Sequence, residues 1–268
     1  MTSFKSHLAG SENIIISAEH LFILKIRWLK VLRDIIKEAG FTEVVVLIYF
    51  RDPISFYKSQ VQQKLKASST VLDPNDFSVD YFSIIERWRK FFPNIMVREF
   101  SDKALVNGNV VSDFLNQAAL FFENDQLLDI KQTVSTNLSL SLEELIVIQN
   151  FRAMHCADSE DHFDKKTDRL MRGLKKIRKQ AELTKPELKD DVKELLRFNN
   201  SEGVHRLRRK LDQRFFEGFY VTHKAPEFPE LPHANVLDIF KVSEASSSQA
   251  MSLAIALLGD ILSSDKPE

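Results

Sequence analysis

Val44-Val45-Val46-Leu47-Ile48-Tyr49-Phe50, with Arg51-Asp52-Pro53 directly behind it, is the stretch whose reading decides the fold. Seven apolar residues without alternation, most of them β-branched or aromatic, read as a central strand covered on both faces, as in a parallel sheet. Pro53 then opens a helix, because its fixed φ suits a first turn where its missing N–H has no partner to lose. Arg51 leaves the strand tip, and Ser59 follows eight residues later, about two turns into that helix. The loop lies at the carboxyl end of a strand, where open α/β sheets bind ligands. One guanidinium and one hydroxyl can face a single phosphate there.

Upstream, Asn13-Ile14-Ile15-Ile16-Ser17 reads as a second short strand, ending in Glu19-His20. Leu21, Leu24, Trp28, Val31, Leu32 and Ile35 then fall on one helical face, and Gly40 closes that helix as its C′ residue. This is a βαβ unit, for which a right-handed parallel crossover is the default. Downstream, helices are expected from Pro53 to about Lys66 and from Phe77 to about Phe92, followed by a strand at Ile95–Phe100 and a helix over Val110–Phe122. Ser141 and Glu144 form a capping box for a helix reaching about Cys156. The fold class is therefore α/β: a parallel sheet flanked by helices over residues 1–156, with residues 157–268 a mainly helical extension packed on it.

In that extension Leu170, Leu174, Ile177 and Ala181 form an apolar stripe, and Lys165 to Lys179 holds eight Lys or Arg against one Asp. Pro186 opens a helix through Phe198, Arg206 to Lys210 sits on another, and Ala225–Pro232 with three prolines is extended. The basic runs read as solvated faces, since acidic residues interleave beyond residue 182 and no stacking aromatics accompany them, so nucleic acid is not the expected partner. The helix from about Ser247 to Leu262 is apolar on nearly all sides and is expected to be buried, in the core or against a second copy of the chain.

The 268 residues carry a formal charge of −1 with 28% charged residues, which excludes an overall bias toward polyanions. The single Cys156 cannot form an internal disulfide and reads as a small buried hydrophobe; with no metal-ligand spacing and no signal peptide, a cytoplasmic protein without a metal is expected. No apolar run is long enough to span a bilayer. Trp28 and Trp88 read as core, and the triplet Asn137-Leu138-Ser139 as a chance sequon.

The strand, Arg51-Asp52-Pro53 and Ser59 together resemble the 3′-phosphate-binding element of the sulfotransferases that use 3′-phosphoadenosine 5′-phosphosulfate (PAPS). The order strand, Glu19-His20, helix, strand, Arg51 is also similar to that family, in which the residue ending the first of these strands is catalytic. Val97-Arg98-Glu99-Phe100, Val110 to Leu115 and Asn137 to Glu144 look like segments of the bacterial members associated with surface polysaccharides. The resemblance covers about residues 7–156. It implies a P-loop-nucleotide-hydrolase-like sheet, PAPS as sulfate donor and a hydroxyl or amine of a glycan or small molecule as acceptor. It also implies Arg51 and Ser59 as nucleotide ligands and Glu19, or alternatively His20, as the base; the residues themselves also allow Glu19 simply to cap the following helix.

One departure changes the expectation. The family's first strand, phosphosulfate loop and helix have no counterpart, because none of the glycines at 10, 40, 108, 173, 203, 218 and 259 lies in a phosphate-cradling loop after a strand. The chain reads as that fold without its first βα unit, with weak or absent transfer, or as a non-catalytic binding or scaffold protein with a residual nucleotide site.

Overall fold

Strands β1 (Val45–Phe50) and β2 (Asn94–Glu99) pair in parallel, with Val45 opposite Asn94 and Phe50 opposite Glu99. The structure is a computed structural model. It describes Leu8 and residues 10–130, 139–156, 158, 160–178, 183–211, 214–231 and 233–264, with the side chains of His20 and 259–264 excepted. Among the described residues these two strands make the only sheet, and helices dominate, so the protein is α/β but mostly helical.

The helices are α1 (Ile26–Glu38), α2 (Pro53–Leu65), α3 (Tyr81–Arg89), α4 (Val110–Phe122), α5 (Leu142–His155), α6 (Lys165–Ile177), α7 (Asp190–Leu211), α8 (Val236–Ile239) and α9 (Glu244–Ser264). Two compact units divide the chain. The first comprises Met1–Asp52, Val79–Val134 and Glu202–Phe219; the second comprises Pro53–Ser78, Ser135–Ser201 and Tyr220–Glu268. Each unit therefore draws on both sides of residue 156.

In the first unit the sheet is packed by aromatic rings. Phe50 meets Phe22 and Tyr81 edge-on, with centroids 6.1 and 4.9 Å apart, and Tyr81 also meets Phe216 at 5.4 Å. Helix α1 ends as its sequence predicts: Gly40 takes φ +90°, its N–H reaches the Lys37 carbonyl, and Phe41 N–H reaches that of Ile36. Helix α4 starts on Asn109, whose side chain accepts from the Val111 and Ser112 amides.

The second unit has its own core. Tyr57, Val61 and Leu65 of α2 meet Leu145 and Ile148 of α5, Leu170 and Leu174 of α6, Val192 and Leu196 of α7, and Leu253 and Leu257 of α9. The Ser141–Glu144 capping box forms in both directions. Arg152, wholly buried, ties α5 to the end of α2: its guanidinium donates to the Lys66 and Ala67 carbonyls and to Thr167 Oγ1. Cys156 is buried beside Thr167, as a small hydrophobe should be.

Five expectations need correction. Residues 14–18 form no strand, and Ile15 and Ile16 are exposed; a short β-branched run gains nothing from the extended form unless a neighbouring strand takes up its amides and carbonyls. Helix α1 begins only at Ile26, after a 3-10 turn at Glu19–Ile23, and its phase buries Leu29, Ile35 and Ile36. That phase turns Trp28 outward, half-exposed under the Arg27 guanidinium at 5.2 Å, so only Trp88 is core. Pro186 opens no helix; α7 starts at Asp190 and runs unbroken through Arg206–Lys210. Finally, α9 buries Ala250, Leu253 and Leu257 but leaves Met251, Ile255 and Leu258 exposed. Asn137, Leu138, Lys179 and Ala181 lie outside the described residues.

Candidate functional site

A parallel pair sends both strands out of the sheet at one end, and here Arg51 and Phe100 leave together. Phe100 N–H donates to the Phe50 carbonyl at 2.7 Å, and the Arg51 guanidinium lies 4.2 Å from the Phe100 ring centroid. Contacts of this kind are worth about 0.5–2 kcal/mol and orient the cation without using its N–H donors. Among the described residues no acceptor is hydrogen-bonded to that guanidinium. Burial holds Arg51 below its ordinary value, and the charges of Asp52 and then Glu19 oppose that effect. A guanidinium stays cationic throughout the working range. Arg51 is thus half-buried at the carboxyl edge of the sheet.

Tyr81 fixes the strand end. Its hydroxyl donates to the Arg51 carbonyl at 2.7 Å, and burial, with Asp52 nearby, pushes the phenol well above its usual range, so it remains a neutral donor.

Glu19 is exposed and opens the 3-10 turn Glu19–Ile23, and its charge is the weaker of the two that act on Arg51. His20 follows in the same turn. Ser59 sits half-buried on α2, in the second unit, whereas Arg51 belongs to the first.

A buried ionic cluster that sequence reasoning did not find stands behind this edge. Asp113 on α4 is fully buried. Its Oδ2 accepts from Arg98 Nε at 2.6 Å and from the Tyr49 hydroxyl at 2.8 Å, while its Oδ1 accepts from Arg98 Nη2 at 2.5 Å and from the Val106 amide at 3.1 Å. Burial alone would raise the Asp113 carboxyl, but the bonds from Arg98, Tyr49 and Val106 outweigh it and hold the group below the ordinary carboxylate range. Tyr49 is pushed well up by burial and by its bond to Asp113. With four donors on two oxygens the carboxylate is saturated, so this cluster braces α4 against the strands and has no lone pair left for chemistry.

Beside it Val97, Arg98, Glu99, Ala104, Arg214 and Phe215 line an open depression. Glu99 Oε2 accepts the Phe216 amide at 2.7 Å, and Arg208 donates to the carbonyls of Phe215 at 2.6 Å and Phe219 at 2.8 Å, which clamps residues 215–219 to the strand end. Arg98, Glu99 and Arg208 are thereby committed to structure. Arg214, in the lining of this depression, is exposed. Among the described residues no three His, Cys, Asp or Glu side chains group to hold a metal ion, and no helix is long and apolar enough to cross a membrane.

No family model, curated protein or solved structure matches the chain.

Proposed function

We propose that this chain is a sulfotransferase-like protein whose sheet edge binds the 3′-phosphate of an adenosine nucleotide, either PAPS or its desulfated product. One observation carries the reading: Arg51 stands at the tip of a parallel strand, stacked on Phe100, with its donors not taken up by any described acceptor. On this reading β1, β2 and their helices are part of a P-loop-nucleotide-hydrolase-like sheet. Glu19, close in electrostatic terms to Arg51, is the base that takes the proton of an acceptor hydroxyl or amine on a glycan or small molecule. Sulfuryl transfer also needs positive groups at the bridging oxygen of the leaving nucleotide. The sequence offers no glycine-rich phosphosulfate loop to supply them, which favours nucleotide binding with weak or no transfer by this chain alone.

Titration calorimetry with adenosine 3′,5′-bisphosphate tests the site. A charge-assisted contact worth about 1.5–3 kcal/mol makes Arg51→Gln bind at least about tenfold more weakly than the wild type. Equal affinity of the two proteins, or no binding by either, overturns the reading. Ser59→Ala, measured alongside, checks the second phosphate contact expected from the sequence. Incorporation of radiolabelled sulfate from PAPS separates the enzyme from the non-catalytic alternative: any transfer should fall on Glu19→Gln with nucleotide binding intact, and His20→Ala decides between the neighbours.

A further inference from the structure

In the second unit, α6 and α9 present a surface that the nucleotide reading leaves unused. Helix α6 turns Thr167, Leu170, Leu174 and Ile177 inward. Lys165, Lys166, Arg169, Arg172, Lys175 and Lys176 are exposed, against the single acid Asp168. The acidic residues just before the helix are largely committed elsewhere. Glu160 accepts from Ser68 and the Ser69 amide, Asp161 pairs with Lys64, and Asp164 caps α6 through the Lys166 amide. Asp161 is thereby paired off, whereas Glu160 and Asp164 keep their charge near the first turn of α6, so the unopposed basic face is that of the later turns, at Arg169, Arg172 and Lys175.

Helix α9 packs on both α5 and α6. Its contact with α6 is so close that a side chain at Gly173 would collide with Leu257. At about 100° per residue, Met251, Ile255 and Leu258 fall within about 60° of one another, on the side away from Ala250, Leu253 and Leu257. They are 65%, 61% and 59% exposed, and Phe163, just before α6, is 73% exposed. An apolar ridge thus runs along α9, the helix that packs against the basic α6.

From this pairing we infer that α6 and α9 form a docking face for an anionic lipid surface. Lys and Arg meet the negative headgroups while Met251, Ile255, Leu258 and Phe163 enter the headgroup–acyl boundary. Each half supplies what the other lacks. Basic side chains alone attract any polyanion, and an apolar ridge alone attracts any apolar partner; a bilayer with anionic headgroups uses both.

Co-sedimentation of the full chain with vesicles tests the inference. Phosphatidylcholine vesicles containing phosphatidylserine should pellet it, and phosphatidylcholine alone should not. Arg172→Glu with Lys175→Glu, both exposed and outside the core, should weaken binding at least about tenfold. Met251→Ser with Ile255→Ser should also lose the vesicles, with the far-UV circular dichroism unchanged. The inference is overturned if the wild type stays in the supernatant. It is overturned equally if the serine variant still pellets while heparin or DNA competes fully, which marks a plain polyanion surface. A concentration-dependent dimer that the serine variant dissolves, without vesicle binding, assigns the ridge to a second copy instead.

Discussion

Arg51 and Asp113 hold opposite positions at one sheet edge, and the difference between them is the number of partners each already has. The Arg51 guanidinium is oriented by a ring face and keeps its donors; the Asp113 carboxylate accepts four hydrogen bonds and keeps nothing. Asp113→Asn should therefore affect stability and leave the proposed nucleotide binding largely alone. Replacing the carboxylate removes the charge facing Arg98 and turns an acceptor into a donor aimed at other donors, a loss of about 2–4 kcal/mol readable by urea denaturation. Because the folded Asp113 titrates below its unfolded value, its stabilisation is present above the unfolded pKa of about 4 and is lost as pH falls through the lower folded value. The wild type should lose this increment on acidification below about pH 4, and the Asn variant should lack that part of the slope. Arg51 was legible in the sequence because strand, Arg and Pro are contiguous. Asp113 was not, because its side-chain partners lie 15 and 64 residues away and no local period links them.

At the scale of elements, local chemistry was legible wherever a residue type has one conformational use. Gly40 ends α1, Ser141 starts α5, and Pro53 opens α2. Ser141→Ala should accordingly cost about 1 kcal/mol of the second unit's stability, seen as a lower urea midpoint. What propensity did not convey is whether a neighbour exists. Ile14-Ile15-Ile16 has the composition of a strand but forms none, and α9 has apolar residues all round but buries only one face. Gly203 shows packing overriding propensity in the other direction. Within a helix, Gly→Ala ordinarily gains about 1 kcal/mol. On α7, however, a Cβ at this position would lie 2.6 Å from the Val79 carbonyl oxygen, a backbone atom that cannot rotate away. Gly203→Ala should therefore destabilise by about 1–3 kcal/mol in spite of its better helix propensity, and a melting temperature above the wild type's would show that the 79–80 segment gives way.

For the molecule as a whole the governing fact is how the chain is shared between its units. It passes from one to the other after Asp52, Ser78, Val134, Ser201 and Phe219, and α7 continues without a break through the fourth of these points. Sequence order suggests a sheet followed by a helical tail, because a linear reading cannot show that distant segments return to one core. Such interleaving has a consequence for unfolding. A unit strung from three separate segments cannot come apart without freeing chain ends on which the other depends, so the two should lose structure together. Trp28 and Trp88 both belong to the first unit, which makes tryptophan fluorescence its reporter, while far-UV circular dichroism follows the helices of both. In urea the two signals should share one midpoint. On the proposed function, adenosine 3′,5′-bisphosphate at about 100 times the wild-type Kd should move that common midpoint by an amount matching about 2.7 kcal/mol in the wild type, and by about 1.4 kcal/mol or less in Arg51→Gln, whose affinity is at least about tenfold lower. A fluorescence transition that shifts with nucleotide while the dichroism transition stays behind would mean that the units unfold separately despite the shared helix.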